Sequence, residues 1–316
     1  MILIAAVLGS VLPATGLAVP VLDWATKAAI ALLFYLYGAR LSTHEAIAGL
    51  KHWRLHAVIL SFTYVVFPLI GVALGVLSGR VLTPALYAGL LFMCLVPSTV
   101  QSSIAFTSIA RGNVAGAIVS ASASNLLGVF ITPLLVLLLM STSGEAAISA
   151  SSVLDITLQL LVPFMVGQLT RRWVADFVTR NKAWLKYVDQ GVIVLVVYAA
   201  FSAGRREHMW TQVGLSDIAV VTLVCLALLA LMLWLTWWVA GRLHFNRADR
   251  IAIQFCGTKK SLATGVPMAS VIFVGQPIGL IVLPLMIFHQ AQLLACTVLS
   301  ARYARQADAQ PPAEQA

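Results

Sequence analysis

Two adjacent lysines, Lys259 and Lys260, stand inside an otherwise largely apolar stretch spanning residues 247–275. A lysine at the centre of a bilayer costs about 2.5–3.5 kcal/mol on insertion scales. A pair of them is retained where it meets water, helix-end carbonyls or an anion, so the chemistry to expect is anion binding or replacement of a bound cation. The structural alternative is a break nearer the membrane surface, with both side chains snorkelling to it. Around the pair, Cys256-Gly257-Thr258-Lys259-Lys260-Ser261 and then Gly265-Val266-Pro267 supply hydroxyls and helix breakers. A second interruption, Pro97-Ser98-Thr99-Val100-Gln101-Ser102-Ser103, carries the polar groups of Gln101, Ser102 and Ser103. Breaks of this kind expose backbone N–H and C=O groups that hold ions or anionic substrates at helix half-ends. Taken singly, either string reads equally as close packing of small residues.

Weaker candidates lie elsewhere. Asn113, Ser120 and Ser124 recur at helical spacing with Asn125 beside them, as a polar lining or a packing face. His289 and Gln290, followed by Gln292, form a polar patch in an apolar run, and Thr63 with Tyr64 is a fainter hint. Cys94, Cys225, Cys256 and Cys296 lie far apart without metal-ligand spacing and read as small buried hydrophobes. No nucleophile elbow, metalloprotease motif, phosphate loop or acidic membrane motif is present, so no enzyme, metal or cofactor is expected.

The elements that position these residues must be membrane helices. Of 316 residues, 60% are hydrophobic and 10% charged, against roughly 25% charged in soluble domains. Residues 81–110, 112–144, 218–241 and 261–301 carry no Asp, Glu, Lys or Arg. About twenty such residues span a bilayer, and only helices or closed barrels satisfy the backbone there. The runs do not alternate as barrel strands would. Ten spans follow, near 2–19, 22–40, 55–79, 84–110, 114–140, 151–169, 188–204, 216–241, 247–275 and 277–300. The stretch 170–187 places Trp173, Phe177 and Trp184 among basic residues, as a helix lying in the interface or an ordinary loop.

With the N-terminus in the cytoplasm, fourteen basic residues fall inside, four outside, and the remaining two are Lys259 and Lys260. Both termini are then cytoplasmic, in a multi-pass protein of the cell membrane, and 306–316 is a disordered cytoplasmic tail. The net charge of +9 belongs to dispersed loops facing anionic lipid, which excludes nucleic acid. The interrupted spans are the fourth of each set of five. An odd number of spans per half inverts the second half, so residues 1–140 and 141–305 read as inverted repeats whose broken helices meet at the site.

At these residues the chain resembles the bile acid:sodium symporter superfamily over residues 1–305. Within it, the chain is most similar to the SBF-like branch that includes solute carrier family 10 member 7. The strings are Pro97–Ser103, Phe255–Leu262, Gly265–Ala269 and Ala110-Arg111-Gly112-Asn113-Val114-Ala115. The resemblance implies a panel of spans 1, 2, 6 and 7, and a core of the other six in which helices 4 and 9 cross. It places ligand positions on Thr63, near Ser102 and Ser103, and on the tenth-helix pair His289-Gln290. It departs from the family where span-five hydroxyls fall on Ala117 and Ala121, and where the acidic anchor of sodium in span nine is absent. Hard cations need oxygen ligands, and two ammonium groups repel sodium, so sodium coupling is not carried over. A lysine ammonium is expected in its place, donating to Gln101, Ser102, Ser103 and free helix-end carbonyls, with Lys259 the nominated residue.

The expected function is secondary active transport of a small organic anion, bile-acid-like or another organic acid, by alternating access. A proton-coupled transporter is the alternative, and a non-transporting membrane regulator of the same fold is the reading from another class. The expected partners are the substrate anion, a coupling Na+ or H+, and the lipid bilayer.

Overall fold

The computed structural model describes residues 1–40, 52–79, 81–140, 157–207, 211 and 213–308, and among these it is helical apart from one isolated bridge, Ser78 to Leu82. In chain order the helices are α1 (Ile2–Val11), α2 (Ala18–Arg40), α3 (Trp53–Leu77), α4 (Pro84–Leu95), α5 (Val100–Ile109) and α6 (Val114–Met140). After a π-helical turn at Thr157–Leu161 come α7 (Val162–Arg180), α8 (Lys182–Arg206), α9 (Leu215–Arg242), α10 (Arg247–Thr258), α11 (Leu262–Ile272) and α12 (Ile278–Asp308).

Six of these helices are long and apolar enough to cross a membrane, and the bent pair α4–α5, with 62° between its halves, makes a seventh. The protein is therefore a polytopic helical membrane protein. Three of the ten expected spans miss that criterion for identifiable reasons. The first helix ends at Val11, two residues before Pro13, rather than running to 19, because proline cannot continue the ladder. The sixth has its start, 151–156, outside the described residues. The ninth opens on Arg247, Asp249 and Arg250 and is split by the lysines.

The stretch 170–187 is not an ordinary connecting loop. It forms the end of α7 and the start of α8, joined at Asn181, with Trp173, Phe177 and Trp184 exposed. The final helix runs to Asp308, three residues into the expected tail, while 309–316 and most of the 41–54 connection lie outside the described residues.

Packing sorts the helices into two groups. Helix α2 packs on α7 and α8, and α1 packs on α8, which also packs across the groups on α11 and α12. The others pack among themselves, α12 on α4 and α9, α10 on α9 and α5, α6 on α5 and α3. The α2–α7 contact depends on two glycines. A Cβ at Gly38 would collide with the Phe164 carbonyl, and one at Gly167 with the Tyr35 carbonyl, so each helix offers a gap to the other's backbone. Gly167→Val is expected to cost about 1–3 kcal/mol by overpacking. Gly191→Ala, where an added Cβ meets nothing within 4 Å inside helix α8, should stabilise slightly, by up to about 1 kcal/mol. Thermal melts in detergent check both, and equal melts for the two variants would contradict the packing account.

Candidate functional site

The site grows from backbone groups that two prolines and two helix breaks leave unpaired. In α3, the Phe67 N–H bonds to the Phe62 carbonyl in a π-type turn rather than to Thr63. The next residue that might serve Thr63 is Pro68, which has no N–H. The Thr63 carbonyl is thus left over. In α4, Pro97 stops the ladder and Val96 turns to extended backbone (φ −74°, ψ 155°), as a residue before proline prefers. The Ser98 N–H goes to Ser124 Oγ (3.1 Å), so the Cys94 and Val96 carbonyls are also left for other donors.

Lys260 fills that vacancy. Its Nζ donates to the carbonyls of Cys94 (2.8 Å), Val96 (2.8 Å) and Thr63 (3.0 Å), and it lies 4.2 Å from the centroid of the Phe67 ring. An ammonium has three N–H donors, and all three are used. The negative end of the α4 dipole points at the same place and favours the charge. The side chain is completely excluded from solvent.

The second break is held in return by the first. Ser98 Oγ donates to the Cys256 carbonyl (2.6 Å), Thr99 Oγ1 to that of Lys260 (2.9 Å), and Ser103 Oγ to that of Phe255 (3.4 Å). The Ser261 N–H donates to the Pro97 carbonyl at 2.8 Å. Gln292 on α12 grips Lys260 from both sides, accepting its N–H on Oε1 (3.0 Å) and donating from Nε2 to its carbonyl (2.9 Å). Each break therefore satisfies polar groups that the other exposes, and the two interruptions meet at these contacts.

The sequence candidates divide accordingly. Ser103, Lys260 and Ser261 are built into the crossing. Thr258 is buried with its hydroxyl 3.3 Å from that of Thr236. Lys259 is equally buried, but its Nζ has no hydrogen-bond partner and lies 3.9 Å from the centroid of the Phe106 ring. The expected donor is thus Lys260 rather than Lys259, and its acceptors are carbonyls, not Gln101, Ser102 or Ser103. Ser102 Oγ is itself buried without a partner. Thr63 contributes its carbonyl, while its hydroxyl bonds back to Ile59 (2.9 Å).

In α6, Ser124 braces Ser98, and Asn125 Nδ2 donates to the Ser98 carbonyl (2.5 Å) while its Oδ1 accepts from Thr264 Oγ1 (2.8 Å). Asn113 instead caps Gly116 (2.8 Å) and donates to Asp249 (2.7 Å), and Ser120 contacts His56 Nδ1 (2.6 Å), which places both in the scaffold. His289 Nδ1 lies 2.9 Å from Gln292 Nε2. Gln290 points away, into a cavity of about 320 Å³ shared with Met1 and Gln190. Of that polar patch, Gln292 does the structural work.

A larger cavity, about 350 Å³, opens between the two helix groups. On one side lie Tyr37, Arg40, Phe164, Lys186 and Asp189; on the other lie Thr99, Gln101, Asn125, Ser261 and Thr264. Helices α5 and α11 both begin at its wall, and the first N–H groups of a helix have no intrahelical acceptor. Ser261 caps α11 at the Thr264 N–H (3.2 Å), whereas Thr99 gives α5 no side-chain cap. Arg40 grips Asp189 with two bonds, 2.6 and 3.1 Å. The sequence reading missed Arg40, Lys186 and Asp189. Arg40 and Lys186 stand in basic clusters that register only as topology signals, and nothing local marks Asp189.

A membrane-spanning bundle with paired helix breaks, buried cations and a cavity between two packed groups is the construction of a membrane transporter. The chain belongs to the SBF-like CPA transporter family, whose model matches residues 1–305. An uncharacterised Pseudomonas aeruginosa protein, PA2026, is 53% identical over 301 residues, 95% of this chain and 90% of that one. The Escherichia coli protein named "Putative symporter YfeH" is 50% identical with the same coverage. Sodium/bile acid cotransporter 7 of Mus musculus is 33% identical over 275 residues, 86% of this chain and 80% of its own.

Proposed function

We propose that the protein is a secondary transporter of a small organic anion, working by alternating access and not coupled to sodium. The observation that carries this reading is the cavity between the helix groups, which holds Arg40, Lys186 and the uncapped start of α5. Guanidinium, ammonium and free amide N–H groups all favour an anion, and Phe164, Leu126, Val129 and Ile193 supply apolar wall for its carbon skeleton. The relatives' names point to symport and to bile acids, and an amphipathic carboxylate or sulfonate suits this lining. In this reading α1, α2, α7 and α8 form the panel and the other helices the core. Residues 1–140 and 141–305 are inverted repeats, both termini are cytoplasmic, and the cavity opens inward.

Sodium coupling is set aside because Lys260 already supplies the positive charge at the crossing. A cation 4 Å from an ammonium is repelled by about 4 kcal/mol at an effective dielectric of 20, and the carbonyls of Thr63, Cys94 and Val96 are already engaged by Lys260.

The test is counterflow of radiolabelled benzoate, octanoate and taurocholate in proteoliposomes. At least one should enter saturably, at the same rate in sodium and choline. Arg40→Gln, which removes a cation from the cavity wall and leaves the Asp189 carboxylate unpaired beside the anion, should weaken uptake by about 10- to 100-fold, the equivalent of a charged hydrogen bond of about 1.5–3 kcal/mol. Absence of saturable entry for all three, or a strict sodium requirement, would refute the proposal.

A further inference from the structure

The two lysines differ at their tips. Lys260 has a carbonyl for each N–H, while Lys259, with no more access to solvent, has none and rests against the face of Phe106. A ring face attracts a cation but leaves the N–H donors unused, and an unpaired buried charge is among the costliest arrangements a fold can hold. Ser102 lies one turn before Phe106 on the same face of α5, and its hydroxyl, like that of Thr107 next to Phe106, is buried without a partner. Its neighbour Gln101 lines the large cavity. The first turn of α5 thus separates Lys259 from the proposed substrate site.

No group of three or more His, Cys, Asp or Glu side chains that could hold a metal ion exists among the described residues. A proton requires neither ligands nor room. An amine nitrogen donates when it is protonated and accepts when it is not, so a site with unused donors is the one least bound to a single state. We propose that Lys259 is the proton-binding site that couples anion movement, exchanging its proton with the cavity across the first turn of α5.

This inference rests on the transporter reading above. In each cycle the ammonium gives one proton to water and keeps the N–H electron pair on Nζ, then regains a proton on the opposite side. One proton and one monovalent anion cross together, with no net charge. The groups facing Lys259 are Cys256 on α10, Cys296 and His289 on α12, and Lys260 next in the chain; α5 has no titratable side chain. No carboxylate pairs with Lys259 among the described residues. Its proton is therefore not shared with an acid.

The experiment uses whichever of benzoate, octanoate or taurocholate the wild type exchanges, in proteoliposomes with and without an imposed pH gradient, with accumulation in protein-free liposomes subtracted because neutral weak acids cross lipid unaided. A gradient of one pH unit should drive about tenfold accumulation through a one-proton symporter. Lys259→Arg, whose guanidinium stays charged at every working pH, should still exchange the anion but lose the response to the gradient. Lys259→Met, which carries no proton, should lose it too and serves where the arginine is too large to fold in. If the wild type exchanges none of the three anions, the transporter reading fails and the coupling with it. If the wild type exchanges but ignores the gradient, or if either variant still accumulates tenfold, Lys259 is not the coupling site and the transporter reading stands.

Discussion

Lys260→Ala is expected to lower the stability of the purified protein by about 3–5 kcal/mol, the range for removing one partner of a buried charge network. The loss comes from the carbonyls of Thr63, Cys94 and Val96, which have no other donor once the ammonium is gone. A buried unsatisfied acceptor costs about 1–3 kcal/mol, and relaxation of the crossing recovers part of the total. The distances suggest a rescue. Oxygens 2.8–3.0 Å from a cation suit ammonium and potassium, as carbonyl filters do. They are wider than the roughly 2.3–2.6 Å of calcium, an ion close to sodium in size. Potassium or ammonium chloride should therefore raise the melting temperature of Lys260→Ala relative to choline chloride and leave the wild type unmoved. Lys260→Met, of similar length but neutral, controls for packing. A wild type stabilised saturably and specifically by sodium, or a Lys260→Ala variant as stable as its parent, would show that the cage is misassigned.

Much of this arrangement is legible in the sequence, and the reason is local. Proline, a charge pair and clustered hydroxyls each forbid an uninterrupted apolar helix, so the breaks after Leu95 and after Thr258 fall where composition puts them. Helix α6 fills its expected span, Val114–Met140, even across Pro133, because a lone proline without a charge pair or hydroxyl cluster beside it does not end the helix. Other features were hidden for physical reasons. The cage around Lys260 is made of main-chain oxygen, which every residue carries, so no side chain at 94 or 96 announces it. Which of two adjacent lysines would enter the cage depends on backbone direction at the break, and that is a tertiary matter. The pairing of Arg40 with Asp189 joins residues 149 apart in the chain, and no periodicity encodes such a contact. Basic residues in 170–187 looked like a surface segment because charge usually ends a span; here α7 and α8 simply extend past the apolar zone.

Gln292 offers the second large effect. Its amide makes the two bonds to Lys260 that a neighbouring strand would make, accepting the N–H and donating to the carbonyl. Leucine has nearly the same volume and neither function, so Gln292→Leu keeps the packing of α12 and removes only the polarity. The Lys260 carbonyl keeps its bond from Thr99 Oγ1 (2.9 Å), but the N–H is left buried and unpaired. That orphan donor and the lost bonds together should cost about 3 kcal/mol. Gln292→Glu separates the two halves of the role. It retains an acceptor for the N–H, but it loses the donor and brings a carboxylate towards Lys260 and His289. Its stability should therefore fall below that of the wild type while the carboxylate is ionised and faces the Lys260 carbonyl, and recover towards it, away from Gln292→Leu, once acid protonates the group, because a neutral carboxyl again offers an acceptor and an O–H donor. Thermal melts of the three proteins across pH check this. Parallel melting curves for the leucine and glutamate variants would mean that α12 holds the break by packing alone, and that the amide's grip on Lys260 contributes nothing to the crossing.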